Sequence, residues 1–328
     1  MPLRVDRQGA MSEPAVSVIV PCFRAQDTIG LQLEALATQI DAPPFEVILV
    51  DNDPEQNLVD AVAPFQQRDA FDLRIVTAHE HQGSSYARNV GISHARADAV
   101  QFCDADDVVS RTWVCNGYLT TREVDLWSGQ AILLEDEDFT DDLDDVRRAF
   151  DAEPPVWRPP VDGQNSNLPV LMGGNFGGAR ATLLRLRGFD QSFAHRGDDN
   201  DLAFRARRAG LRVPTAETVR IAFRGKWSAR DRLRLGFLDA RARRRMLMTH
   251  DAMDQSPVPP WPIDVARCAL ATVLMPLRRR PAPLGMALRW SYALGGAAGA
   301  LTYGWPGRRP QSAPGLGLDH NEARRGEP

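Results

Sequence analysis

A chain of 328 residues is long enough for about two domains, or for one large domain with appendages. With 43% hydrophobic and 25% charged residues it has the composition of a soluble globular protein, and a net charge of −4 gives no global pull toward nucleic acid. The four cysteines (Cys22, Cys103, Cys115 and Cys268) are far apart and form no metal-type pair; Cys22 and Cys103 lie in or beside apolar stretches as buried thiols would, which fits a reducing, cytoplasmic compartment.

Residues 1–14 contain no apolar core of signal-peptide length and read as a disordered leader. Val16 to Val20 is a β-branched run stopped by Pro21, the pattern of a buried strand. Asp27 or Thr28 can then cap a helix carrying Ile29, Leu33, Leu36 and Ala37 on one face. Phe45 to Val50 is a second buried strand, ending in Asp51-Asn52-Asp53-Pro54, and a helix is expected over Gln56 to Gln67. Leu73 to Val76 is a third strand, and Gly83-Ser-Ser opens a helix running through Ile92. Strands and helices alternating at this spacing predict βαβ units and a mostly parallel, Rossmann-like sheet.

The fourth strand, Ala99 to Cys103, runs into three carboxylates, Asp104, Asp106 and Asp107. Acids crowded at a strand end repel one another unless they face solvent or share a cation, and hard divalent ions take such oxygen donors together with substrate phosphates. In open α/β sheets the ligand crevice lies at the carboxyl ends of the strands. Asp-X-Asp is therefore a candidate metal–diphosphate site, against the plainer reading of strand-terminating acids. Neither Gly-X-Gly-X-X-Gly after the first strand nor a Gly-Lys-Ser/Thr loop is present, so a bound nucleotide must be neutralised by a metal or by arginines.

The second half is less regular. Asp125 to Leu134 reads as a strand, and the acidic run from Glu135 to Glu153 as solvated surface or loop. Gly173 to Gly178 reads as flexible backbone suited to close approach, followed by a short helix over Ala181 to Arg187 that Gly188 ends. Asp198, Asp199 and Asp201 stand at the cap and first turn of a helix over Leu202 to Ala209, where capping accounts for one or two acids but does not need three. Trp113 and Trp127 are expected in the core, and the histidines, His81 and His195 included, show no ligand spacing.

Five stretches in this order resemble the family-2 glycosyltransferases of the A-type fold: Val16 to Phe23, Phe45 to Asn52, Gln82 to Ile92, Phe102 to Asp107, and Gly188-Phe-Asp190 with Asp198 to Arg205. The resemblance covers about Val16 to Arg224. It implies an inverting, metal-dependent hexosyltransferase of cell-envelope glycan, glycolipid or polysaccharide synthesis, with a non-catalytic scaffold at the membrane as the alternative. It also implies a nucleotide-sugar donor and Mn²⁺ or Mg²⁺ ligated by Asp106, with Asp104 near the ribose and Pro21 and Phe23 lining the nucleotide pocket. Asp51 and Asn52 would contact the base, though turn residues before Pro54 are the plainer reading. Arg88 would serve the phosphate side or brace the acids, Asp198 would belong to the substrate-binding set, and Asp199 would be the general base. The chain departs from the family in Arg24, where Asn is frequent, in Asn52 and Asp198, and in Ile221 to Trp227, which lacks a metal-binding His.

Beyond residue 228 the chain becomes helical and basic. Arg230 to Met248 is an arginine-rich helix; Ala266 to Leu277 is too short to span a bilayer, and Leu284 to Tyr303 is interrupted by Arg289 and glycines. These segments read as membrane-surface or re-entrant helices, as an oligomer interface, or as a helical pair packed on the catalytic domain. The expected organisation is a leader (1–14), a catalytic domain (15–228) with a nucleotide-sugar half (15–108) and an acceptor half (109–228), a helical region (229–305), and a disordered tail (306–328). Expected partners are the donor, a glycan or lipid-linked acceptor and the inner membrane face, with no nucleic acid.

Overall fold

The computed structural model describes residues 13–318, except 56–57, 67, 163–169, 194–195, 226–227, 257, 276–282, 305–309 and 311. The leader up to residue 12, the tail beyond 318, His195 and Lys226 lie outside the described residues.

The first half is the expected βαβ array: β1 (Val16–Cys22), α1 (Ile29–Ala37), β2 (Phe45–Asp51), α2 (Leu58–Val62), β3 (Asp72–Thr77), α3 (Ser84–His94) and β4 (Ala99–Cys103). These four strands are parallel, with Val16 opposite both Phe45 and Ala99. β1 runs past Pro21 because its pairing with β4 ends at Ile19–Phe102, so the missing N–H removes no ladder bond on that side. Thr28 does precede α1, but its side chain does not cap it; its hydroxyl donates weakly to Ala25 O at 3.4 Å. The helix expected over 56–67 is cut short, since Pro64 turns the segment after Val62 into a single 3₁₀ turn, Ala63–Phe65.

The second half adds β5 (Val108–Val109), α4 (Trp113–Thr121), β6 (Leu126–Leu134), α5 (Leu143–Phe150), β7 (Asn175–Ala179), α6 (Arg180–Arg185), α7 (Asp198–Arg208) and β8 (Thr215–Arg224). The eight strands form one sheet in the order β3-β2-β1-β4-β7-β6-β8-β5. Four of its seven strand pairings are parallel, as expected; the sheet is nonetheless mixed, because β7 runs antiparallel to both β4 and β6, and β5 to β8. The glycine-rich stretch is thus an interior strand and not a flexible loop. A Cβ on Gly177 would meet the Trp127 ring and Val100 O, and one on Gly178 would meet Asp125 O. Asn175 begins β7 and ties the sheet together: it accepts from Trp113 Nε1 at 2.8 Å and donates to Gln130 O and Val219 O. Trp113 and Trp127 are both fully buried. The acidic run is not plain loop either, because Asp142 caps α5 by accepting from Asp144 N–H and Val146 is buried.

Three helices follow: α8 (Ala229–Thr249), α9 (Trp261–Val273) and α10 (Pro283–Tyr303). α10 lies against α8 through its small residues; a Cβ on Gly295 would meet Phe237 O, and one on Gly299 would lie 2.8 Å from Arg244 Cβ. Among the described residues no helix is long and apolar enough to cross a membrane. The tail is ordered where it is described. Ser312 Oγ donates to Asp190 Oδ2, Ala313 N–H to Asp190 Oδ1 and Asn89 Nδ2 to Leu316 O, while Leu318 is buried. The expectation of disorder from 306 onward does not describe this stretch, because Asn89 on α3 and Asp190 ahead of α7 offer side-chain partners to the backbone of 316 and 313. Gly178→Ala is expected to lower stability by roughly 1–3 kcal/mol, since the clash is with backbone that cannot rotate away; thermal melting followed by circular dichroism checks it.

Candidate active site

The carboxyl ends of β1, β2 and β4 converge on the Asp104–Asp107 turn. Gln32, fully buried on α1, holds that turn by donating to Asp104 O and accepting from Val109 N–H. Arg224, the last residue of β8, closes it from the other side. Its N–H donates to Asp107 Oδ1 at 3.0 Å, its Nε donates to Asp106 O, and its guanidinium stacks on Phe139.

Arg88 is buried on α3 and joins the two halves. It donates to Asp104 Oδ1 at 3.0 Å and to Asp198 Oδ2 at 3.4 Å, and lies over the Phe189 ring. Ser85 Oγ also donates to Asp198, at 2.9 Å. α7 begins at Asp198, four residues ahead of the expected Leu202, so Asp198, Asp199 and Asp201 lie inside its first turn, with Gly197 at the cap in the left-handed region (φ 90°). Their roles then diverge. Asp198 faces Arg88, whereas Asp201 faces away and pairs with Arg205 and with the buried His250 of the α8 terminus at 2.8 Å. Asp199 turns toward the backbone of 173–174, accepting from Gly173 N–H at 3.2 Å and from its own neighbour Asn200 N–H at 2.7 Å.

Gly173 and Gly174 separate the two groups of acids. A Cβ on Gly173 would lie 2.9 Å from Asp199 Oδ2, and one on Gly174 would lie 2.7 Å from Asp104 Oδ2 and 3.2 Å from Asp107 Oδ2. Consecutive Cα atoms are about 3.8 Å apart, so Asp199 and Asp104 face one short piece of bare backbone from either side.

A cavity of about 570 Å³ opens beside this cluster, lined among others by Pro21, Phe23, Asn52, Gly83, Asp104 and Asp106. It is of small-ligand size and lies at the strand ends, where such sheets bind ligands. A larger cavity, about 1060 Å³, lies at the opposite strand ends near Pro44 and Phe71. Phe23 is 45% exposed at the mouth and carries the Arg24 guanidinium over its ring. Arg24 sits at φ 53°, a left-handed conformation that Asn adopts more readily than Arg. Asn52 lines the cavity with its amide bonded within the chain. Nδ2 donates to Ala78 O and His81 O and Oδ1 accepts from Gly83 N–H, so the side chain shapes the loop that starts α3. Asp51 is not among the lining residues; it accepts from Asp53 N–H and faces His79 at 3.2 Å.

The electrostatics follow from crowding. Burial, then Asp104 and Asp106, raise the Asp107 carboxyl well above the usual range, with Arg224 opposing. Burial and then Asp198 push Asp199 up to about 7, against the Asn200 N–H, Arg88 and the Gly173 N–H. Burial works against the charge of Arg88, yet Asp104, Asp198 and Asp199 outweigh it and keep the guanidinium cationic. Asp104 and Asp106 supply hard oxygen donors at the cavity wall, and Asp107 Oδ2 is buried without a hydrogen-bond partner. Among the described residues no cluster of three or more His, Cys, Asp or Glu forms an all-protein cage. The donor set fits a cation held by one or two carboxylates with the remaining positions filled by substrate oxygens. Gln32, Ser85 and the Gly173–Gly174 pair carry no sequence signal for their roles, because each acts through contacts 26 to 113 residues away.

Residues 17–120 match the glycosyl transferase family 2 model. Over 162 residues the chain is 26% identical to a chondroitin synthase of Pasteurella multocida (strain Pm70), covering 49% of this chain and 16% of that one. Over 106 residues it is 26% identical to the Escherichia coli UDP-Glc:alpha-D-GlcNAc-diphosphoundecaprenol beta-1,3-glucosyltransferase WfgD, covering 32% and 39%. The chain therefore spans well under half the length of these curated relatives. The mannosyltransferase PcManGT from Pyrobaculum calidifontis, solved with GDP-Man and Mn²⁺, shares the fold: TM-score 0.60 at 20% identity, over 90% of this chain and 88% of that one.

Asp199→Asn is expected to raise the melting temperature by more at pH 8 than at pH 5, where only the first part of the loss has occurred. With a folded value near 7 above an unfolded value of about 3.9, the folded state holds the extra proton, so wild-type stability falls as pH rises between the two. Melting curves at both pH values check the sign.

Proposed function

We propose, on the premise that residues 17–120 form a glycosyl transferase family 2 domain, that this chain moves a sugar from a nucleoside-diphosphate sugar to an acceptor hydroxyl with inversion at the anomeric carbon. The observation that carries the reading is the meeting of Asp104 and Asp199, from the two halves of the chain, across Gly173–Gly174 beside the 570 Å³ cavity. The printed names of the relatives, a chondroitin synthase and a glucosyltransferase of a diphosphoundecaprenol-linked sugar, support a glycan or lipid-linked acceptor.

In this reading the nucleotide lies along Pro21 and Phe23, whose exposed ring offers a stacking face. Asp104 reaches the ribose with the oxygen that Arg88 leaves free. Asp106, with Asp104 beside it, would hold Mn²⁺ or Mg²⁺, which when bound stabilises negative charge on the departing diphosphate; the Mn²⁺ of the mannosyltransferase supports this. Asp199 takes the proton of the acceptor hydroxyl, a task suited to a part-exposed carboxylate with a value near 7. Asp198 and Arg88 do not react; they fix the spacing of Asp104 and Asp199.

Turnover of nucleotide-sugar, by transfer or by donor hydrolysis, is measured across UDP-, GDP- and dTDP-sugars with and without Mn²⁺. One donor is expected to be used, dependent on metal, with a rate that rises as pH approaches about 7 and then levels. Asp106→Ala and Asp199→Ala should each lower turnover at least ~100-fold with melting temperatures preserved. Wild-type turnover in both variants would overturn the assigned roles. Gly174→Ala should lower turnover by more than Gly30→Ala, because Gly30 on α1 has open space where a Cβ would stand.

A further inference from the structure

The helical region carries charge that the transfer reaction does not use. Two adjoining cavities, about 50 and 470 Å³, lie between α8, α10 and the loop leading into α9, and share Arg244, Ser256, Val258 and Pro259. Arg243 and Trp261 line the smaller, and Arg267 the larger. The stem of Arg244 is pressed between α8 and α10 against Gly299. Its Nε is buried with no acceptor, and burial alone lowers its affinity for a proton, with no carboxylate opposing. Asp264 is on the wall of the smaller cavity, and Asp239 lies near Arg243, so the arginines at the cavities outnumber the acids by three to two.

The outer face of α9 continues from this cleft. Arg267 stands between Ile263 and Leu270 at helical spacing, and the stripe goes on through Val273 and Leu274. These side chains are large, apolar and outward: Leu270 is 60% and Val273 74% exposed. On α10, Leu284, Leu294 and Leu301 are exposed as well. A desolvated cation seeking an anion, set at the edge of an exposed apolar helix face, matches the two layers of a lipid surface, phosphate above acyl chain.

We propose that α9 and α10 rest on an anionic membrane surface, with a lipid headgroup phosphate entering the Arg243–Arg244–Arg267 cleft. The docked orientation is peripheral, since no described helix is long and apolar enough to span. The inference stands on the helical region alone and does not depend on glycosyl transfer.

The full chain is floated with vesicles of phosphatidylcholine alone and of phosphatidylcholine with phosphatidylglycerol, at low and high salt. Binding is expected to the anionic vesicles only, weakened by salt. Arg244→Gln with Arg267→Gln should lower partitioning on the order of 10-fold, and Val273→Asp should lower it too. Arg267→Gln alone, on the exposed face, is the variant to read if the double substitution melts early. Absence of vesicle binding, equal binding to both vesicle types, or binding unaffected by the substitutions overturns the proposal. So does a rise in melting temperature with inorganic phosphate in a protein that ignores vesicles, which would make the cleft a soluble-phosphate site.

Discussion

The geometry of the site depends on one buried cation. Arg88 stands between Asp104, which belongs to the first half of the sheet, and Asp198, which opens α7 in the second. Without it, four aspartates would face one another across a small volume, and each would be driven to hold a proton. With it, Asp104 and Asp198 share one cationic partner, while burial and then the charge of these neighbours hold the Asp107 and Asp199 carboxyls high. Buried pairs of this kind add little net stability but are strongly destabilising to break, because the survivor is left charged in a poor solvent. The trio therefore acts chiefly as a gauge that sets how far apart the two halves can stand.

The rest of the sheet serves that gauge. β7 brings the second half alongside β4 in the opposite direction, and this reversal carries the 173–174 backbone past the strand-end acids. At positions 177 and 178 only glycine fits, since Trp127 and the carbonyl of Asp125 already occupy the space a Cβ would take. The bare backbone at Gly173 and Gly174 lets Asp199 and Asp104 approach. Packing at one pair and chemistry at the other thus ask for glycine for different reasons.

The parallel half was legible because it is local. Each strand announces itself by an apolar run, and each helix follows within a few residues, so β1 to β4 were read within two residues of their observed ends. The acids at strand and helix termini were equally visible. What sequence could not convey was partnership. Gly173 to Gly178 reads as loop because glycine disfavours strands in isolation, and only the neighbours make it one. Nothing near Asn52 in sequence announces that its amide bonds Ala78, His81 and Gly83. Gln32 and Ser85 look like ordinary helix residues, and their value lies in atoms reached across 77 and 113 residues of chain. The tail reads as disordered because its anchors, Asn89 and Asp190, lie far upstream.

That tail has a consequence for how the site answers to cleavage of the chain. Asn89, the neighbour of Arg88, divides its amide between Phe189 and Leu316. The stretch 312–318 thus closes over α3 next to the central cation, and cutting the chain ahead of residue 312 would strip one of the partners that hold Asn89, loosening the arginine beside it without touching any of the acids.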